Sequence, residues 1–140
     1  MDETSISRYI TETFEGVEVT QASGNSFFFY DPEQKFPFVT LVTNDEYDQA
    51  SNLNRPSVFR LNIGVGKHTF QSLFDSAAGD DNYDFTTLDK IMPHPVYGKM
   101  HWICVLNPSE ATFETVKSLL AEAYEMAVSR QARKESAGGS

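Results

Sequence analysis

Two of the three histidines, a lysine and the only tryptophan fall within nine residues, in the stretch HPVYGKMHW from His94 to Trp102. On an extended chain Lys99 and His101 would face one side and Trp102 the other. An ammonium beside an imidazole could hold an anion or move a proton near neutral pH. The same residues also suit a scaffold, with Trp102 as a core anchor, His101 satisfied by the backbone and Lys99 reaching to water. Buried polar groups are usually satisfied scaffold, so this second reading carries more weight. Arg60 and Asn62 alternate within VFRLNIG. If helices leave that face of the strand bare, both would join Lys99 and His101 in one polar groove. Arg60, Asn62, Lys99 and His101 are therefore the candidate ligand-binding residues, and no catalytic residue or metal ligand is assigned.

Other chemistry-bearing residues are weaker candidates. His68, His94 and His101 could ligate zinc in principle, but no two are spaced i, i+4. Cys104, between Ile103 and Val105, reads as a small buried hydrophobe rather than a nucleophile. GVGK, Gly64 to Lys67, follows a strand as a phosphate loop does, yet lacks the full spacing, and His68 stands where a hydroxyl would be. GDDNYD resembles calcium ligands without a loop-closing glutamate. No cofactor is expected.

The balance of charge narrows the partners. Twenty acidic against 11 basic residues give a net charge of −9. Long-range repulsion then opposes binding to a nucleic-acid backbone, and the one dense basic group is Arg130, Arg133 and Lys134 near the C-terminus. A single cysteine cannot form an internal disulfide, no apolar run is long enough to cross a bilayer, and MDETSISRYI lacks the order of a secretory signal. The expectation is a soluble cytoplasmic protein, monomer or homodimer. Its partner would be a protein or a small-molecule ligand rather than nucleic acid or membrane.

The elements that must position these residues follow from periodicity. Ile6, Ile10 and Phe14 recur every four residues, which predicts a short helix with Thr4 as N-cap. VEVTQA and SFFFY flank a Ser-Gly-Asn turn and read as a hairpin; FVTLVT, VFRLNIG and HWICVL read as further strands, the last buried on both faces. GKHTFQSLF predicts a helix burying Phe70, Leu73 and Phe74. The proline-bearing stretch after it allows one helical turn near Leu88 to Met92. A long helix follows, with Asn107 as cap and Pro108 at its first position; Phe113, Val116, Leu120, Ala123, Tyr124, Ala127 and Val128 form one apolar face. Residues 1–130 form a single α+β domain, an antiparallel sheet with an N-terminal helix and a long C-terminal helix packed on it, and 131–140 form a disordered tail. The 11 phenylalanines and 6 tyrosines imply an aromatic core.

Leu61-Asn62, then Lys99-x-His101-Trp102, Val105, and Leu119, Leu120 and Tyr124 on the long helix follow one another in an order that resembles the MmcQ/YjbR-like proteins. These are small bacterial domains; a sister family sharing their fold would fit equally. Val96, Tyr97 and Gly98 stand where that family carries His-Met-Asn. The resemblance implies a YjbR-like fold of the kind compared with secretion chaperones, and a DNA-binding label that the acidic total opposes. Three functions follow: a non-catalytic binding module, which is favoured, a DNA-binding protein, and a small enzyme using His101.

Overall fold

The computed structural model describes residues 2–74 and 83–138. Helix α1 spans Glu3–Thr13; strands β1 (Glu18–Ala22), β2 (Asn25–Phe29), β3 (Val39–Val42) and β4 (Arg60–Gly64) follow. Then come α2 (Lys67–Phe74), β5 (Met92–Pro93), a 3-10 turn at Gly98–Met100, β6 (Trp102–Leu106) and the long α3 (Glu110–Gly138). The strands form one antiparallel sheet in the order β1-β2-β3-β4-β6-β5. The architecture is α+β, as the periodicity predicts.

Alternation divides the sheet into two faces. Phe28, Val39, Leu41, Leu61, Ile63, Ile103 and Val105 point inward and are buried with Ile6 and Ile10 of α1 and Phe113, Val116, Leu120, Ala123 and Ala127 of α3. Aromatic rings close the seam between the helices, with Tyr9 against Phe113 at 5.3 Å and Phe14 against Tyr124 at 4.9 Å between centroids. The outer face carries a smaller core of Val42, Leu53, Met92, Cys104 and Leu106 beneath two long loops. Arg55 ties those loops together, donating to the carbonyls of Ser51, Asn52 and Thr86.

Several local expectations are corrected. Asp2, not Thr4, caps α1, accepting from the Ser5 N–H at 2.8 Å. No residue of α2 is fully buried, and Leu73 is 37% exposed. The stretch that allowed one helical turn near Leu88 to Met92 contains no helix; it ends in an edge strand, Met92–Pro93, where a proline's missing donor does no harm. Ser109 caps α3 through its hydroxyl, 3.2 Å from the Thr112 N–H. Asn107, with φ of 41°, turns away to bond Phe59 N–H and Ser57 C=O. The helix also continues through 131–138, where a disordered tail is expected from composition. Most of the GDDNYD stretch lies outside the described residues.

Candidate functional site

Arg60 and Asn62 lie on the face away from the helices, as their alternation requires, but that face is not bare. The loop between β3 and β4 folds over it, and Arg60 is 2% exposed beneath. Its guanidinium meets both Asp48 oxygens, Nη1 to Oδ1 at 3.0 Å and Nη2 to Oδ2 at 2.6 Å. Nη1 also reaches Ser51 Oγ at 3.0 Å, and Nε donates to Asn62 Oδ1 at 2.9 Å. Asn62 passes the chain on, donating to Thr40 Oγ1 at 2.9 Å. This two-pronged ion pair is the strong, oriented kind, and it holds the Asp48 carboxyl below its ordinary range despite partial burial. Most of the arginine's donors are thereby committed within the protein, where they pin a loop to the sheet.

His94 and Cys104 adjoin this network. His94 is 5% exposed, and its Nδ1 accepts from both the Val96 and Tyr97 N–H groups at 3.0 Å. The ring therefore carries its proton on Nε2 and stands in for the side chain of an Asx turn. Burial, reinforced by the Arg60 charge, lowers its pKa to about 4, so it is neutral in the physiological range. Burial pushes the Cys104 thiol up to about 12, and its Sγ lies 3.7 Å from the Pro93 carbonyl. Acid–base catalysis favours groups poised near the working pH, and these two titrate far from neutrality.

Lys99 and His101 are placed elsewhere. The chain before β6 is not extended: Lys99 sits exposed in the 3-10 turn, and His101 ends that turn in the left-handed region with φ of 69°. The His101 ring packs 5.5 Å from Phe70 of α2, and its carbonyl accepts from the Val65 N–H. Arg60 stands opposite Leu106 while Trp102 stands opposite Gly64. At about 3.3 Å per strand residue, His101 is then roughly 15 Å along the sheet from Arg60. The single groove expected from alternation is not formed. Trp102 is half-buried over Gly64 rather than a core anchor, and His68 is exposed on α2. Among the described residues, no group of three or more His, Cys, Asp or Glu side chains could hold a metal ion.

Sequence reasoning missed the partners that matter most. Asp48 lies in an acidic loop beside Asp45 and Glu46, with nothing local to distinguish it. His94 did carry a signal: it sits between Pro93 and Pro95, where a turn needs a side-chain acceptor.

What the fold leaves outward is the β1 end of the sheet. Ser23 and Gly24, with φ of 53° and 81°, form the two-residue turn between β1 and β2. That turn makes Ala22 and Asn25 the first hydrogen-bonded pair, and bonding alternates from there. The Phe28 carbonyl confirms the phase, since it accepts from Phe38 on the β3 side. Val19 and Gln21 thus direct their N–H and C=O groups away from the sheet. On the outer face beside them lie Thr20, Phe27 and Thr40, with the Phe27 ring edge-on to Tyr47, itself 59% exposed.

A family model matches residues 1–136, and the chain belongs to that family, DUF6194, a family of unknown function. Comparison with curated proteins and with solved structures gives no match. No helix among the described residues is long and apolar enough to cross a membrane.

Proposed function

We propose that this DUF6194 member is a non-catalytic binding module that takes an extended protein segment onto the free edge of its sheet at β1. The observation that carries this reading is the character of that edge. Sheet edges are normally blunted by charged side chains, proline, a bulge or extreme shortness. β5 at the far side is two residues long and contains a proline, whereas β1 runs five residues in unbroken register without proline, its one charge, Glu18, standing at the first position outside the Val19–Gln21 stretch. An added strand would bond Val19 and Gln21 through the main chain, and its alternate side chains would lie beside Thr20 on the outer face. The commitment of Arg60, His94 and Cys104 to internal contacts supports binding over turnover. A kinship with MmcQ/YjbR-like proteins is part of the same proposal, resting on the Lys-x-His-Trp run and the element order.

The test uses the wild type and Gln21→Pro as paired baits. Proline at an outward position removes the donor an added strand needs while leaving the β2 ladder intact. A partner lost from Gln21→Pro, with slowed amide exchange at Val19 and Gln21 in the wild-type complex, is the expected result. Partners held equally by both baits would sink the proposal.

A further inference from the structure

The basic group near the C-terminus does not hang free in a tail. Because α3 continues past residue 130, Arg130 and Lys134 stand one turn apart on the helix, facing the loop between β2 and β3. Between them opens a cavity of about 270 Å³, lined by Asp31, Lys35 and Phe36 from the loop and Ala127, Arg130 and Lys134 from the helix. Its carboxylates are already engaged. Asp31 Oδ2 accepts from the Lys35 backbone N–H at 2.9 Å, and Glu33 of the same loop pairs with both Lys35 and Lys134. The Arg130 side chain has no hydrogen bond or ion pair among the described residues and is exposed. Three cations thus line the cavity against one lining carboxylate, Asp31, with Glu33 paired to two of them, a local positive excess on a chain of net charge −9.

The cavity also has an apolar side. Phe36 is 65% exposed at its mouth, and the buried Ala127 forms part of its wall. Neither cation lies in the last turn of α3, so complementing the helix dipole accounts neither for the charge nor for a cavity bordered by an exposed aromatic ring. An arginine fork binds planar or tetrahedral oxyanions in paired contacts, and an aromatic face takes a flat ring. The volume falls just below the usual range for drug-sized ligands, which suits a molecule of one ring and one anionic group.

We infer that this cavity binds a small organic anion carrying a flat apolar ring, an aryl carboxylate or aryl phosphate. The anionic group sits on Arg130 and Lys134 and the ring lies against Phe36 and Ala127. This site is independent of the β1 edge, so failure of either proposal leaves the other standing.

Titration calorimetry and amide chemical shifts with phenyl phosphate, benzoate, inorganic phosphate and benzyl alcohol test it on the full chain. For ligands this small, binding on the order of 1 mM is expected for at least one of the two aryl anions. Which of them binds tighter identifies the anionic group. Shifts should centre on Phe36 and Arg130. Arg130→Ala should weaken binding about tenfold, as loss of a charge-assisted contact does. Phe36→Ala should reduce phenyl phosphate to the affinity of inorganic phosphate, and Lys99→Ala, on the opposite side of the sheet order, should change nothing. Both tested side chains are exposed, and unchanged thermal midpoints confirm that the variants fold. The inference is overturned if neither aryl anion binds, if binding survives both variants, if the shifts map elsewhere, or if inorganic phosphate or benzyl alcohol binds as tightly as the aryl anions.

Discussion

Lowering the pH from 7 to 5 should destabilise the protein by about 2 kcal/mol through His94 alone, given the protonation free energy of about 1.4 kcal/mol per pH unit. In the unfolded chain this imidazole takes up a proton below its ordinary value of 6.5; in the folded chain burial and the Arg60 charge delay that to about 4. Between those values the unfolded state binds more protons. The stabilising contribution is therefore complete above pH 6.5, shrinks as pH falls through the window, and levels off below about 4, with a ceiling of roughly 3 kcal/mol. Asp48, depressed by Arg60, adds its own loss only below its ordinary 3.8, outside the interval chosen. The control is His94→Asn. Its Oδ1 is attached to Cγ as the ring Nδ1 is, so it can accept from the Val96 and Tyr97 N–H groups without titrating. Losing the ring leaves a packing defect that weakens the variant equally at both pH values. Denaturant unfolding at pH 7 and pH 5 then isolates the linkage: the wild type should lose about 2 kcal/mol more than His94→Asn. Equal losses in the two proteins would refute the reasoning, and with it the placement of His94 as a buried neutral acceptor.

Replacing one partner of the Arg60–Asp48 pair should be severe. Arg60→Met leaves a partly buried carboxylate and Asn62 Oδ1 without their donor, which costs about 3–5 kcal/mol, and adding Asp48→Leu should restore most of it. Gly64→Ala places a Cβ 2.9 Å from Trp102 Cε2; a loss of about 1–3 kcal/mol is expected in unfolding, and Trp102→Leu should relieve it. Ser109→Ala should cost about 1 kcal/mol and speed amide exchange in the first turn of α3. Asn107→Ala should instead free the Phe59 amide and leave the helix start protected, a contrast that exchange rates read directly.

Local signals were enough to place α1, β3, β4 and α3 by their apolar periodicity, the β1–β2 hairpin by its turn, and β6 by its unbroken apolar run. It was enough, too, to put Arg60 and Asn62 on the face away from the helices, since strand alternation is a covalent property. Only the tertiary structure decided what that face would meet. The loop that brings Asp48 and Ser51 over Arg60 is polar and aperiodic, and its path is fixed by contacts distant in sequence: Asp48 and Ser51 on Arg60, Leu53 in the outer core and Arg55 on the Thr86 carbonyl. The same holds for His101, whose left-handed backbone comes from the 3-10 turn before it and separates it from Arg60. The run at 131–138 has too few apolar residues to specify a helix by packing; it is helical as the continuation of a helix nucleated and buried upstream, where adding a residue costs far less than starting one. That continuation is what carries Lys134 up to the Asp31–Phe36 loop and, with Arg130, makes a cavity from charges that the chain alone shows only as a basic cluster.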